Sequence, residues 1–128
     1  MAGLLSSLLP TIIVLGLLIF IHELGHYLAC RFTGVTVEKF SIGFGPELIA
    51  FQFQGTRISL ALIPFGGFVK PKGESLAEVE DKAIGSDEYL AKGVGPKIFI
   101  VSAGVIMNFI LAYALFVFIF IAGRPVLL

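Results

Sequence analysis

Two long apolar stretches constrain this chain more than any other feature of its sequence. The first runs from about Leu8 to Ala29 and the second from about Ile98 to Ala122. A hydrocarbon core of about 30 Å is crossed by roughly 20 predominantly apolar residues in a helix, so each stretch is long enough to span a bilayer. With 57% hydrophobic residues among 128, the chain is too apolar for an ordinary soluble domain of this length. We therefore predict a polytopic α-helical membrane protein with two transmembrane helices.

The segment between the two apolar stretches alternates with a period of two, which is typical of β-strands. It reads VTVEKFSIGFG, then ELIAFQFQ, a QGT turn and RISLALI. We predict three or four short strands over residues 35–69, inserted between the transmembrane helices as a membrane-associated or reentrant β-hairpin or β-sheet. Because open sheet edges cannot face lipid, such a sheet must be shielded by protein or line a wet cavity. A cytosolic subdomain lying on the membrane surface is the alternative.

Polar residues are concentrated after the predicted strands, in a segment that begins at Lys70. A short helix is predicted there around Ser75 to Ala83, because Ser75 and Glu78 fit a weak capping pattern. The chain thus divides into five predicted regions: transmembrane helix 1 at 8–32, a reentrant β-loop at 35–69, a polar cytoplasmic loop at 70–97, transmembrane helix 2 at 98–122 and the start of an extracytoplasmic region at 123–128.

The distribution of basic residues predicts the orientation of the chain. Eight of the nine Lys and Arg residues lie between the two apolar stretches, none precedes the first, and only Arg124 follows the second. Because basic loops are retained in the cytoplasm, we place the loop on the cytoplasmic side and both termini outside. The formal net charge is zero, so nothing predicts a nucleic-acid partner. The single cysteine, Cys30, excludes an intramolecular disulfide.

Two histidines and a glutamate interrupt the first apolar stretch. Residues 22–26 read HELGH and fit the pattern H-E-x-x-H. Residues four apart share one face of a helix, so His22 and His26 can both bind one metal ion, and Glu23 lies adjacent to that metal. Zinc suits two imidazoles and lowers the pKa of its bound water to about 7. Glu23 can then act as the general base that takes a proton from that water. Ionisable residues in a membrane segment are rare without a function, which favours a metal site.

The second apolar stretch carries one amide. Asn108 shares a helix face with Gly104 and Ala112, because the three residues follow one another at a spacing of four. Small residues on one face allow another helix to approach closely, so helix packing is the simplest interpretation of Gly104 and Ala112. Asn108 is a functional candidate, because an amide in hydrocarbon requires a partner.

These motifs together resemble the site-2 protease family of intramembrane zinc metalloproteases, in particular the bacterial regulator-of-sigma-E protease type. The resemblance covers nearly the whole chain. It rests on FIHELGHYLACRFTGVTVEKFSIGFGPEL at 20–48, ALIPFGGFVK at 61–70 and SAGVIMNFILA at 102–112. The third segment departs from the family pattern, because Val105 stands where the family usually has a proline, although the spacing from Gly104 to Asn108 is retained.

The resemblance implies a role for each candidate residue. His22 and His26 would bind Zn²⁺, Glu23 would be the general base, and Asn108 would contact substrate or stabilise the developing oxyanion. Residues 35–69 would be the family's membrane-reentrant β-loop, which helps to hold the substrate as an added strand. The implied activity is hydrolysis of peptide bonds in membrane-anchored substrates during regulated intramembrane proteolysis, at the cell inner (plasma) membrane. The implied partners are the lipid bilayer and a transmembrane protein substrate such as an anti-sigma factor.

One part of the family's zinc site has no counterpart in the sequence. A catalytic zinc usually has three protein ligands, and the family's third is an aspartate in an Asp-Gly motif on a later transmembrane helix. No Asp-Gly pair occurs here, and the chain stops at GRPVLL, about where the family's extracytoplasmic PDZ region would begin. We therefore expect the chain to be the N-terminal portion of a longer protease.

Two other classes of function fit the same residues. In a non-enzymatic membrane module for metal binding or transport, the histidines would bind metal and Glu23 could be replaced by Gln without loss. In a helix-packing or partner-binding subunit, the chain would bind no metal. Zinc content compared between the wild type and His22→Ala separates this last class from the other two.

The 128-residue chain alone is expected to bind zinc weakly and to cleave nothing, because two histidines leave the zinc coordination incomplete. Zinc content per chain in detergent and cleavage of a transmembrane peptide measure the two properties. Proteolysis at full strength by this chain alone would contradict the prediction.

Overall fold

The computed structural model describes residues 1–74 and 85–123 and contains two long helices with a β-sheet between them in sequence. The order of elements is helix α1 (Ala2–Thr33), strand β1 (Val37–Phe53), strand β2 (Thr56–Pro71), a 3₁₀ turn (Tyr89–Ala91) and helix α2 (Val94–Ile121). The sheet is two-stranded and antiparallel. This arrangement confirms the predicted order of helix, sheet and helix. The short helix predicted around Ser75 to Ala83 and the end of the predicted region 123–128 lie outside the described residues.

Helix α1 begins six residues before the predicted boundary and includes Pro10 in its interior. Proline lacks the N–H that would bond the carbonyl of Ser6, so Pro10 removes one helical hydrogen bond. The helix ends at Gly34, whose φ of 81° suits a residue without a β-carbon. The N–H of Val35 then donates to the Cys30 carbonyl at 2.8 Å, which closes the last turn.

Over most of their length, both helices present apolar side chains outward. Both helices are long and apolar enough to cross a membrane. Of the 18 most apolar consecutive residues in each helix, none is buried in α1 and 6% are buried in α2. Exposed apolar surfaces of this extent are rare on soluble monomers and indicate contact with a membrane or another protein. Length, composition and exposure therefore agree with the prediction of two transmembrane helices.

The sheet is built from two long, bent strands rather than from three or four short ones. Residues 47–53 pair with 56–61 across a turn at Gln54 and Gly55, which both have positive φ. Residues 39–42 pair with 67–70 on one side and lie beside 57–60 on the other, so each strand contributes two paired segments. Register shifts between Lys39 and Ile49 allow the bend. The alternating pattern thus predicted where the strands lie, but not that they form two continuous strands.

The sheet packs against the C-terminal half of α1. The ring of Phe40 lies 6.1 Å from that of Phe20 and 5.7 Å from that of Tyr27, measured between centroids. Aromatic pairs of this geometry stabilise by about 0.5–1.5 kcal/mol beyond their area of burial. The core cluster contains the following buried residues from both helices and the sheet: Tyr27, Ala29, Cys30, Val35, Val37, Phe40, Ile100 and Ala103.

Asp87 fixes the segment that leads from the sheet to α2. The Thr36 hydroxyl donates to its carboxylate at 2.8 Å, and the Lys72 ammonium donates at 3.2 Å. The Thr36 N–H also donates to the Asp87 carbonyl at 2.9 Å. The Thr36 hydrogen bond, followed by that of Lys72, holds the pKa of Asp87 below its usual value. The carboxylate therefore favours the folded state above its ordinary pKa of 3.8, and this contribution is lost as the pH falls and Asp87 is protonated.

Helices α1 and α2 are in tight contact at Gly25. A β-carbon built on Gly25 would lie 2.5 Å from the Ala103 carbonyl oxygen and 2.7 Å from Cγ of Met107. No real β-carbon tolerates a backbone atom at that distance, so a larger residue must push the helices apart. Gly25 therefore sets the distance between the two helices.

Substituting Gly25→Ala is expected to lower the free energy of unfolding by about 1–3 kcal/mol, the usual cost of overpacking a tight contact. Thermal unfolding in detergent measures the effect. Gly16→Ala is the matched control, because nothing lies within 4 Å of a β-carbon built on Gly16 and alanine favours the helix. Equal stability of the two variants would show that the helices are not in contact at Gly25.

Candidate metal centre

The structure brings the two predicted metal ligands together on α1. His22 and His26 lie one turn apart, and their Nε2 atoms are separated by 3.1 Å. The two imidazole rings meet edge to face, with centroids 4.7 Å apart and an interplanar angle of 82°. Both residues are half-buried. The helical spacing therefore aims two ring nitrogens at one point, as the sequence predicted.

Helix α2 determines which nitrogen of His26 carries a proton. Nδ1 of His26 lies 2.7 Å from the backbone carbonyl oxygen of Ile100. A carbonyl oxygen only accepts hydrogen bonds, so Nδ1 must be the donor and Nε2 of the neutral ring keeps its lone pair. Metal-binding histidines commonly donate their other N–H to a carbonyl or carboxylate in this way. His26 is thus prepared to bind a cation through Nε2.

The positions of the two Nε2 atoms fit a zinc ion. With Zn–N distances of about 2.0–2.1 Å and tetrahedral angles, two imidazole nitrogens on one zinc lie about 3.3 Å apart. The observed separation of 3.1 Å is close to that value. His22 and His26 would therefore hold the metal. Within residues 1–74 and 85–123, no group of three His, Cys, Asp or Glu side chains is arranged to hold a metal ion.

Glu23 borders two clefts between α1 and the end of β2. The first cleft, of about 230 Å³, is also lined by His22, Asn108 and the glycine pair Gly66 and Gly67. The second, of about 250 Å³, is lined by Glu23 together with the following residues: His26, Gly67, Phe68, Val69, Pro71, Glu74, Tyr89, Ile100 and Val101. The carboxylate predicted to be the general base thus stands next to both histidines and to the backbone of β2.

Asn108 points an unpaired amide into the first of these clefts. Its Oδ1 atom is buried and has no hydrogen-bond partner within the part of the chain that the structure describes. A buried acceptor without a donor costs about 1–3 kcal/mol, so it marks a position where a partner is expected. Gly104, one turn earlier on α2, is buried beside the histidines, whereas Ala112, predicted to share in helix packing, is exposed.

Sequence reasoning missed several groups at this centre. The Ile100 carbonyl is a backbone atom, so no side-chain pattern could indicate it. Glu74 was assigned to a polar loop without a chemical role, yet it lines the same cleft as Glu23 and His26. Gly66 and Gly67 belong to the segment ALIPFGGFVK. That segment supported the family resemblance but did not predict that the two glycines would line a cleft beside Glu23. A larger apolar groove of about 640 Å³ lies between the helices beside Gly25 and Met107 and is lined by none of the candidate site residues.

Together, the fold and the site define a class of protein: one that carries an H-E-x-x-H motif on a helix long and apolar enough to cross a membrane. A model of peptidase family M50 matches residues 10–127 of the chain. The chain belongs to this family, the integral membrane site-2 proteases, and zinc is the cofactor that the names of its relatives imply. The resemblance inferred from the three sequence segments is confirmed.

Relatives from three bacteria are similar to this chain. A protein of Helicobacter pylori strain J99, named as an inferred zinc metalloprotease, is 43% identical over 119 residues, which cover 91% of this chain and 34% of the relative. A Campylobacter jejuni protein with the same kind of name is 45% identical over 87% of this chain and 30% of its own length. The protein named Protease RseP of Yersinia pestis is 42% identical over 98% of this chain and 28% of its own length. The chain thus spans about a third of the length of the curated relatives it matches.

Replacing Asn108 by Leu is expected to leave the free energy of unfolding unchanged or to raise it by about 1 kcal/mol, because it removes an unpaired buried oxygen. Chemical or thermal unfolding in detergent measures the change. Thr56→Val is the control, because the buried Thr56 hydroxyl donates to the Val37 carbonyl at 2.7 Å, and its loss should destabilise by about 1 kcal/mol. A destabilisation by Asn108→Leu as large as that of the control would show that the amide already has a partner.

Proposed function

We propose that this chain is the N-terminal catalytic portion of an intramembrane zinc metalloprotease that hydrolyses peptide bonds of membrane-anchored substrates. The observation that carries this proposal is the convergence of the His22 and His26 Nε2 atoms at 3.1 Å, with Glu23 beside them, inside an apolar helix. Ionisable groups in such a helix are costly and rare without a function. A metal bound by the two imidazoles is the simplest reason for their presence.

In this proposal each side chain has one task. His22 and His26 would hold zinc, which would supply Lewis-acid activation of the peptide carbonyl and of the attacking water. The Glu23 carboxylate accepts the proton of that water and delivers it to the nitrogen of the leaving amine. The Ile100 carbonyl holds the proton on Nδ1 of His26, which keeps Nε2 of His26 free for the metal.

Asn108 would contact the substrate directly. Its unpaired atom is Oδ1, which is an acceptor, and it lies in the same cleft as His22 and Glu23. An extended peptide in that cleft offers backbone N–H groups, which suit an amide oxygen. The Nδ2–H₂ group of the same amide is a donor, so both implied roles, substrate contact and stabilisation of the developing oxyanion, are available to Asn108.

The end of β2 offers an edge on which a substrate strand could be added. Residues 67–70 pair with 39–42, and among the described residues they have no strand on their other side. Gly67, Phe68 and Val69 line the cleft that also contains Glu23 and His26. An extended substrate paired to this edge would have its backbone held next to the metal centre by β-augmentation.

The position of the sheet along α1 supports a reentrant β-loop in an inner-membrane protein. Gly67 lies beside Ile19 near the middle of α1, and Gln54 at the turn accepts a hydrogen bond from Arg31 near its end. The sheet therefore extends along about 12 residues of α1, or about 18 Å of helix rise, which is more than half of a hydrocarbon core. With the loop cytoplasmic and the termini outside, the sheet would enter the membrane from the cytoplasm.

The proposed partners follow from the same geometry and from the resemblance. A substrate must reach a site that lies within the membrane, so we propose a transmembrane protein surrounded by the lipid bilayer. An anti-sigma factor is the substrate that the resemblance implies. Cleavage of such a protein would place the enzyme in regulated intramembrane proteolysis.

Substituting Glu23→Gln in the protein expressed from its complete reading frame is expected to preserve zinc binding and to reduce turnover by about 10²–10⁴-fold, because it removes the general base but no metal ligand. His22→Ala should lose both properties. Zinc content per chain and the rate of cleavage of a reconstituted transmembrane substrate are the measurements.

Glu38→Gln is the matched control, because Glu38 is exposed, pairs with Lys70 at 3.4 Å and lines neither cleft of the site. It should leave zinc content and turnover unchanged. If Glu23→Gln were as active as this control while His22→Ala lost zinc, the non-enzymatic metal-binding or transport module would be the better description. A wild type without zinc would favour the helix-packing subunit.

A further inference from the structure

Helix α2 contacts both nitrogens of His26 within a single turn. Nδ1 of His26 lies 2.7 Å from the Ile100 carbonyl oxygen, and Nε2 lies against Gly104, which follows Ile100 by four residues on the same face. The imidazole therefore lies across one turn of α2. Its tautomer and its direction are set by the same helix.

Gly104 leaves the space that both imidazoles occupy. A β-carbon built on Gly104 would lie 2.6 Å from Nε2 of His22 and 2.7 Å from Nε2 of His26. Both distances are shorter than real β-carbon contacts, so any side chain at position 104 must displace the two rings. The atoms that would be displaced are the two nitrogens that converge on the metal position.

The backbone does not require a glycine at position 104. Its φ is not among the positive values found in the described part of the chain. Glycine is also a poor helix former compared with alanine, so α2 itself gains nothing from it. Gly25 differs in this respect, since its β-carbon would meet the Ala103 backbone and therefore serves the contact between helices. Gly104 instead serves the two imidazoles.

We propose that Gly104 is a positioning residue of the metal centre: its bare α-carbon allows α2 to lie against both imidazoles while the Ile100 carbonyl orients His26. A side chain at position 104 would rotate the rings away, break the bond from Nδ1 to Ile100 and separate the two Nε2 atoms. This inference rests on the proposed function, because it assigns a role toward the metal of that same site. It also replaces the interpretation of Gly104 as a helix-packing residue.

The experiment titrates Zn²⁺ alone into the detergent-solubilised protein, expressed from its complete reading frame, and into its variants. Gly104→Ala should fold, because the displaced atoms are the ends of side chains that can rotate, and its zinc dissociation constant should rise at least tenfold. Gly16→Ala, which meets nothing within 4 Å, should bind zinc as the wild type does. Circular dichroism of each metal-free variant reports helix content separately from metal binding. Zinc affinity of Gly104→Ala within twofold of the wild type would overturn the proposal.

A second measurement does not depend on a variant that folds. In ¹⁵N-histidine spectra of the metal-free wild type, at a pH where the rings are neutral, His26 should be the Nδ1–H tautomer. The same signal should change to a tautomer mixture in Gly104→Ala and remain unchanged in Gly16→Ala. An Nε2–H tautomer of His26 in the wild type would overturn the inference.

The two proposals fail in different ways. A wild type that binds no zinc overturns the proposed function and the role of Gly104 toward the metal. If the wild type binds zinc, but no more tightly than Gly104→Ala does, only the proposed role of Gly104 is overturned. Weaker zinc binding by Gly104→Ala, with the His26 tautomer altered, supports the inference.

Discussion

The hydrogen bond from His26 Nδ1 to the Ile100 carbonyl is the contact on which the rest of the site depends. An imidazole N–H placed in apolar surroundings without an acceptor costs free energy comparable to that of any unpaired buried polar group. The Ile100 carbonyl meets that need and at the same time leaves Nε2 with its lone pair. One bond therefore joins α1 to α2, satisfies a donor and prepares a ligand.

That bond requires α2 to lie against α1, which explains where the small residues occur. Gly25 admits the backbone of α2 at Ala103, and Gly104 admits the rings of α1. Each glycine therefore faces the other helix, and both lie in the same region of contact between α1 and α2. On the opposite side of the histidines, the sheet closes the site through Gly67, beside Ile19. The metal centre is consequently enclosed by two helices and one strand rather than presented on a helix surface.

The sequence predicted the elements of this centre better than their mutual contacts. Apolar length indicated both helices, and the spacing of His22 and His26 indicated a shared face, because both signals are local. The start of α1 was predicted too late because Pro10 is normally a first-turn residue, yet here it lies inside the helix. The register of β1 could not be predicted, since it depends on bends that pair residues 39–42 with one part of β2 and place them beside another. The Ile100 carbonyl acceptor could not be predicted either, because no side-chain pattern marks a backbone atom.

Two features that reduce stability lie at the clefts that Glu23 borders. Among the described residues, Asn108 keeps an unpaired oxygen there, and the end of β2 has no neighbouring strand on its outer edge. Ser59 and Glu88 also have unpaired buried oxygens, but neither lines those clefts. Elsewhere a buried hydroxyl such as that of Thr56 is paired within the fold. An unpaired acceptor and an open strand edge beside one carboxylate support the proposed contact with an extended peptide, and helix packing alone would require neither.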